Sequence, residues 1–99
     1  MKLWIDDIRP APEGYIWAHS TNEAIALIKG FSYIKDVVEV IDIDHDAGVY
    51  AADGGDYIRV LDFLESCALS IPIHIHSMNP VGVSNMRRII ERNGWREIR

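Results

Sequence analysis

The sequence predicts a small three-layer α/β domain built on a parallel sheet. Two observations support this fold class. Short β-branched apolar stretches alternate with segments of helical periodicity along the 99 residues, and charged or polar residues directly follow three of those stretches. Strands that alternate with helices form right-handed crossovers, so we expect helices on both faces of the sheet. Ligands of such sheets bind outside the carboxyl ends of the strands, and the polar residues there mark the expected functional edge.

Composition is that of a single globular domain over residues 1–99, with 48% apolar and 25% charged residues. The net charge of -5 argues against extended nucleic-acid binding, which needs a basic face, but permits a small phosphate-bearing ligand. The single cysteine, Cys67, fits a reducing cytoplasm. No apolar stretch approaches the ~20 residues of a membrane span and no signal peptide precedes the first strand, so we expect a cytoplasmic protein.

The central strand is expected at Val37–Ile43, a β-branched run too short for a stable helix. Asp44, His45 and Asp46 follow where this strand stops. Asp42 lies on the same face as Asp44 but about 6.6 Å deeper. Its carboxyl group is therefore either a support for the residues at the edge or a buried acid paired with a histidine.

Two further strands deliver polar residues to the same edge, namely Lys2–Ile5 and Ile71–Ile75. The residues that follow them are Asp6 and Asp7 in the first case and His76, Ser77 and Asn79 in the second. Because three strands end in acids or histidines, we expect these side chains to converge at one site.

Capping and turn signals place the remaining elements. Ser20 and Glu23 have capping-box spacing, which begins a helix, and Gly30 is its expected end. The other predicted elements are a strand at Tyr15–Ala18, a helix from Asp56 to about Ala68, a helix capped by Asn79 that runs to about Arg92, and a short edge strand within Trp95–Ile98.

Two loops beside the expected edge are unusual. Residues 6–14 contain two prolines and a glycine, which predict an irregular loop in place of the first crossover helix. The segment His45–Gly55 exceeds the about 2–6 residues that usually connect a strand to a helix. Extra length beside a site is typical of a lid or a substrate loop.

The residues at the strand ends resemble those of the response-regulator receiver domain: Asp6 and Asp7, then Asp44, then Ser77. In that family the acidic pair and the central aspartate hold Mg²⁺, the aspartate accepts a phosphoryl group, and a Ser or Thr and a Lys assist. This sequence departs from the pattern, because a loop replaces the first helix, a histidine follows the central aspartate, and no lysine follows Lys35. The departures argue against ordinary phosphorelay signalling.

The sequence more closely resembles the cyclic-phosphate-processing receiver domain family, over nearly its whole length. The resemblance rests on LWIDDIRPAPEGY at the start, IDIDHDAG in the middle and IHSMNPVG late in the chain. It implies a receiver/flavodoxin-like fold and a phosphoesterase-like or phosphate-handling activity on cyclic phosphates.

Asp6, Asp7 and Asp44 are the candidate metal ligands, and Mg²⁺ or Mn²⁺ is the expected cofactor. Such cations take carboxylate oxygens, and three neighbouring carboxylates without a cation repel one another and raise at least one pKa. The alternative is that these residues cap helices or lie solvated in loops. His74 and His76 form an HxH pair, which is also compatible with a transition-metal site completed by Asp44.

Asp44, His45 and His76 are the candidate catalytic residues, because a histidine among carboxylates suits general acid–base chemistry. His45 is otherwise an ordinary loop histidine with one hydrogen bond. Because strand alternation places His74 a full repeat deeper than His76, His74 is more often a core histidine.

Arg9, Ser77 and Asn79 are the candidate substrate-binding residues. Ser77 and Asn79 precede a helix whose first amides suit an anion, and Arg9 suits a bidentate phosphate contact. The alternatives are a surface ion pair for Arg9 and a simple N-cap role for Asn79.

The expected function is a metal-dependent phosphoesterase or processing enzyme acting on a cyclic-phosphate nucleotide or RNA end. The expected partner is thus a small phosphate-bearing ligand, either a cyclic nucleotide or a cyclic-phosphate end. The alternative is a non-catalytic receiver-like module that binds a cyclic nucleotide or a protein. A phosphoacceptor role for Asp44 is a third hypothesis, which the missing lysine disfavours.

Overall fold

The computed structural model describes residues 1–99, which form five strands and three α-helices. The strands are β1 (Lys2–Ile5), β2 (Tyr15–Ala18), β3 (Val40–Ile43), β4 (Ile73–Ile75) and β5 (Glu97–Ile98), and the helices are α1 (Thr21–Tyr33), α2 (Ile58–Ser66) and α3 (Pro80–Asn93). They form one sheet in the order β2-β1-β3-β4-β5, with every neighbouring pair parallel. The predicted parallel α/β fold is confirmed.

All three helices lie on one face of the sheet. The crossovers β2–α1–β3, β3–α2–β4 and β4–α3–β5 step in the same direction along the strand order. Right-handed crossovers that step in one direction place their helices on one face, and α2 accordingly contacts both α1 and α3. The protein therefore has two layers where the sequence predicts three, because a loop replaces the crossover that steps the other way.

The helix-covered face of the sheet carries the hydrophobic core. Its fully buried strand residues are Leu3, Ile5, Ala18, Ile41, Ile43 and Ile73. Successive side chains of a strand point to opposite sides, so these residues alternate with those of the face without helices, here called the open face. On the open face the register aligns Trp17, Trp4, Asp42 and His74 across four strands.

The loop of residues 6–14 covers the β1 and β2 part of the open face, in place of a first crossover helix. The indole nitrogen of Trp4 donates to the carbonyl oxygen of Arg9, and that of Trp17 donates to the carbonyl oxygen of Asp6, both at 2.8 Å. On β4 the cover is incomplete, and His74 keeps 36% of its side chain exposed.

The helix starts follow the capping signals, whereas two helix ends differ from prediction. Ser20 caps α1 by accepting from the amide of Glu23 at 3.0 Å. The helix then continues through Gly30 to Tyr33, because Phe31 on the next position is buried in the core. Helix α2 is shorter than the predicted Asp56 to Ala68 segment, since Ala68 takes a left-handed conformation after the helix has ended.

Two predicted strands are also longer than the observed ones. The central strand begins at Val40 and not at Val37, whose exposed fraction is 67%. Strand β4 begins at Ile73, and the predicted edge strand is present as β5, parallel to β4. None of the helices combines the length and the apolar character that crossing a membrane requires.

Candidate functional site

The sheet register brings three polar residues side by side at the carboxyl edge. Ile5 pairs with Ile43 and Ile43 pairs with Ile75, so the residues that follow them are Asp6, Asp44 and His76. Potential ligand atoms of these three side chains all lie within 4.8 Å of one another. The convergence predicted from the strand ends therefore occurs for one residue from each of β1, β3 and β4.

His76 is held between two carboxylates. Its Nε2 lies 2.8 Å from Oδ2 of Asp6 and its Nδ1 lies 2.6 Å from Oδ1 of Asp42. The ring is stacked on Trp4 with a centroid distance of 3.9 Å, and only 9% of the side chain is exposed. The position of the ring is therefore fixed in the plane by two hydrogen bonds and out of the plane by the indole.

The two carboxylates favour the charged form of His76. Burial by itself lowers the pKa of His76, but the hydrogen bonds and negative charges of Asp42 and Asp6 outweigh burial and raise it. Burial raises the pKa of Asp42, but hydrogen bonds from His76 and His74 outweigh it and leave that pKa lowered. The two carboxylates thus stabilise the imidazolium form of His76.

The same Asp42 oxygen also accepts from His74, whose Nδ1 lies 2.8 Å away. Asp42 is therefore a nearly buried acid paired with two histidines, and through His76 it also supports the edge, so both roles that the sequence leaves open apply. A continuous chain of hydrogen bonds runs from half-exposed His74 through Asp42 and His76 to Asp6.

Both carboxylate oxygens of Asp6 accept hydrogen bonds from other groups of the protein. Its Oδ1 accepts from the backbone amides of Ile8 and Arg9, at 2.9 and 2.8 Å. Burial raises the pKa of Asp6, but these amides and then His76 outweigh burial and lower it. Asp6 consequently shapes the start of the loop over the open face while it orients His76.

Asp7 and Asp44 are the less engaged carboxylates. Burial is the largest cause that raises the pKa of Asp7, and the charges of Asp6 and Asp44 add to it, so that together they outweigh the lowering by its own backbone amide. Asp44 uses Oδ1 to accept from the amide of His45 at 2.7 Å. Mutual repulsion is what the sequence predicts for carboxylates that gather without a cation.

Gly48 limits the space around Asp7. It has a φ of +56°, and a Cβ atom added there would come inside van der Waals contact with Oδ2 of Asp7. A glycine at this position therefore both permits the left-handed turn and lets the 3₁₀ segment Gly48–Ala52 approach the carboxylate closely.

His45 belongs to a second group of polar side chains. Its Nδ1 lies 2.7 Å from Oδ1 of Asp46, and this hydrogen bond lowers the pKa of Asp46. Potential ligand atoms of His45, Asp46 and Asp56 lie within 4.8 Å of one another, and the His45 ring packs against Gly82 of α3. The structure therefore separates His45 from the group of Asp6, Asp44 and His76.

The candidate substrate-binding residues have local backbone roles. Asn79 is the N-cap of α3, because its Oδ1 accepts from the amide of Gly82 at 3.0 Å, and its Nδ2 also donates to Asp46. Ser77 accepts from the amide of Asn79 at 3.1 Å. The Arg9 side chain is exposed and makes no hydrogen bond or ion pair, so its guanidinium is free for a ligand.

A family model described as the cyclic-phosphate processing receiver domain matches residues 1–92. The chain belongs to this family. No curated protein and no solved structure matches the chain significantly. The receiver-like fold with a loop in place of the first crossover helix, which the sequence predicts, is thus supported by both the topology and the family match.

The donor set of this receiver domain fits a divalent cation. Asp6 and Asp44 offer carboxylate oxygens beside His76, and Asp7 adds a third carboxylate, whose pKa their charges help to raise. Oxygen donors suit Mg²⁺ and Mn²⁺.

Sequence reasoning missed the stacking of Trp4 on His76 and the joint use of Asp42 by two histidines. The signal for the second was present, because Asp42, His74 and His76 share the parity of one sheet face. The joint use of Asp42 can be inferred only when the register between β3 and β4 is known, because that register pairs Asp42 with His74.

Proposed function

We propose that this receiver domain is a cytoplasmic metal-dependent phosphoesterase that acts on a cyclic phosphate of a nucleotide or RNA end. The observation that carries the proposal is the group of Asp6, Asp44 and His76, with ligand atoms within 4.8 Å, beside the raised pKa of Asp7. Membership in the cyclic-phosphate processing family supplies the substrate class.

Asp7 and Asp44 are the proposed principal oxygen ligands of Mn²⁺ or Mg²⁺, because Asp6 already accepts three hydrogen bonds from the protein. Asp6 adds a third negative charge beside the two principal ligands. When bound, the ion supplies positive charge that polarises the phosphoryl group and promotes attack by water.

His76 is the proposed proton donor to the leaving oxygen. Its Nε2 faces the carboxylate edge, while Asp42 fixes the orientation of the ring through Nδ1. His45, oriented by Asp46, is the second residue that could exchange a proton with a ligand. Arg9 and the hydroxyl of Ser77 are proposed to hold non-bridging phosphate oxygens.

The test is hydrolysis of 2′,3′- and 3′,5′-cyclic nucleotides and of ADP-ribose 1″,2″-cyclic phosphate, each with Mn²⁺, with Mg²⁺ and with a chelator. We expect metal-dependent turnover that Asp44→Asn abolishes, because that substitution removes a charged ligand while keeping the shape of the side chain. The matched control is Asp62→Asn, an exposed acid on α2. Full activity of Asp44→Asn would remove Asp44 from the mechanism.

A second candidate function is ligand binding without turnover. The observation that favours it is that both nitrogens of His76 are hydrogen bonded to carboxylates, which holds the ring in place as a fixed charge. Tight binding of a cyclic nucleotide without product, and indifference to chelator, would select this function over hydrolysis.

A further inference from the structure

A groove of about 650 Å³ runs from the functional edge along the outside of α3. It is lined by Ser77, Met78, Pro80, Val83, Ser84, Arg87, Arg88 and Glu91. Those on α3 recur every three or four positions and therefore share one face of the helix. Ser77 follows His76 directly, so the groove begins where the candidate site ends.

The groove lies in the basic part of an acidic protein. Residues 84–99 contain five arginines and two glutamates, whereas residues 1–83 contain five basic and thirteen acidic residues. The overall charge of -5 therefore conceals a positive segment that consists of most of α3 and the residues after it. The positive charge of this segment attracts an anionic ligand.

Arg88 is the uncommitted cation of the groove. Nε of Arg87 donates to Oε2 of Glu97 at 2.9 Å, and Arg92 pairs with Glu65, also at 2.9 Å. Arg88 is exposed and makes neither a hydrogen bond nor an ion pair with the protein, although Glu91 lines the same groove. Its guanidinium therefore remains available for a ligand.

The spacing of Arg88 from the functional edge suits a second phosphate. The helical rise places the Cα atom of Arg88 about 13 Å along α3 from its N-cap, Asn79. Long side chains on a helix lean toward its N-terminus, so the guanidinium covers the preceding turn, where Ser84 lies. The groove thus offers a cation and two serine hydroxyls, Ser77 and Ser84, between that point and the edge.

We propose that this groove is a second anion subsite, in which Arg88 binds the phosphodiester that precedes a terminal cyclic phosphate. The inference rests on the proposed function and narrows its substrate class from a nucleotide or RNA end to the end of an oligonucleotide. Met78, with 83% of its surface exposed at the mouth of the groove, provides apolar area for the sugar or base between the two phosphates. Binding of this ligand requires only one arginine, Arg88, outside the candidate site. The net negative charge of the protein therefore does not prevent it.

The test compares two ligands by isothermal titration calorimetry in the presence of Mn²⁺: a mononucleotide 2′,3′-cyclic phosphate and a dinucleotide with the same cyclic end. A charge-assisted phosphate contact strengthens binding by about tenfold or more. We expect the wild-type protein to bind the dinucleotide more tightly by that factor, and Arg88→Ala to lose the difference while its affinity for the mononucleotide is unchanged.

The matched control is Arg92→Ala, which removes an arginine of the same helix outside the groove and should keep the preference. Arg88→Lys should retain part of it, because the charge stays and the bidentate geometry is lost. Equal affinities of the wild-type protein for both ligands, or a preference that survives Arg88→Ala, would overturn the inference and leave the proposed function intact.

A dinucleotide without the cyclic phosphate separates the two proposals. Suppose that this ligand binds in a manner that depends on Arg88, and that the cyclic phosphate adds nothing to the affinity of the mononucleotide or the dinucleotide. That result would support the groove as an anion subsite and overturn the proposed function. Absence of any Arg88-dependent nucleotide binding would overturn the groove assignment, whatever the site does with mononucleotides.

Discussion

At the scale of single residues, the structure depends on a histidine that links two nearly buried acids. Asp6 and Asp42 expose only 2% and 12% of their side chains, and His76 is bonded to both. Removing one partner of a buried ion pair leaves an uncompensated charge, and we expect His76→Ala to lower the free energy of unfolding by about 3 kcal/mol. Urea unfolding followed by tryptophan fluorescence measures this loss.

His74→Ala is the matched control for that variant. His74 contacts the same Asp42 oxygen, but 36% of its side chain is exposed and Asp42 keeps its bond to His76, so we expect a loss below about 1 kcal/mol. Equal losses of stability in the two variants would mean that the link between β1 and β3 through His76 is not what stabilises the edge.

The same residue predicts how stability depends on pH. The pKa of His76 is raised above its ordinary 6.5, so its stabilising contribution is complete below 6.5 and is lost as pH rises through the folded-state value. The lowered pKa values of Asp6 and Asp42 act in the opposite sense, since their contribution is present above 3.8 and is lost as pH falls through the folded-state values.

We therefore expect the urea midpoint in chelator to be higher at about pH 6 than at about pH 9. The difference should shrink in His76→Ala, because the group that titrates is gone. A midpoint that stays constant over this range in the wild-type protein would contradict the raised pKa.

The sequence predicted which residues meet at the edge but not how they bond. Asp6, Asp44 and His76 follow strands whose ends must align in a parallel sheet, so their convergence is readable from sequence. The pairing of His76 with Asp42 depends on the side-chain rotamer and on the register of β3 with β4, neither of which a single sequence specifies.

At the scale of elements, two helical glycines should respond to substitution in opposite directions. A Cβ atom at Gly82 in the first turn of α3 would overlap the His45 ring, whereas one at Gly30 in α1 meets nothing within 4 Å. Gly30→Ala should raise the free energy of unfolding by about 0.5–1 kcal/mol, because alanine loses less conformational entropy in a helix. Gly82→Ala should lower it and displace His45 from Asp46.

Thermal unfolding of the two variants checks the signs, and the imidazole resonances of His45 report the displacement. Stabilisation by both substitutions would show that the His45 ring moves aside freely and that its place beside α3 is not fixed.

Helix starts were easier to predict than helix ends. Ser20 and Asn79 cap their helices through side-chain contacts within three residues, and such local chemistry is visible in the sequence. The continuation of α1 past Gly30 depends on tertiary packing, because Phe31 on the next position is buried in the core. An isolated glycine does not end a helix when the next turn contains an apolar residue that packs in the core.

At the scale of the whole molecule, the strand order predicts a gradient of local stability. Strands β1 and β3 lie inside the sheet and carry fully buried side chains, whereas β5 is a two-residue strand at its edge. Amide hydrogen exchange should be slowest in β1 and β3 and fastest in β5, since opening of an edge breaks fewer contacts. Equal protection of β5 and β3 would contradict this order.

The number of layers was the part of the fold that the sequence misjudged. Alternation of strands and helices predicts crossovers and their handedness, but not the direction in which each crossover steps along the sheet. The one crossover that steps backward, from β1 to β2, is made by the loop of residues 6–14. The sequence shows the prolines of this loop. The strand order is needed, however, to infer that the loop leaves the open face without a helix.

The missing layer and the polar chain from His74 to Asp6 belong together as one adaptation. A helix packed over the open face would withdraw the exposed part of the His74 side chain from water, and burying a polar group costs free energy unless it is hydrogen bonded. A receiver with helices on both sides would therefore be expected to fill these strand positions with apolar side chains. Because no helix covers that side, the hydrogen-bonded chain from His74 to Asp6 reaches solvent at His74.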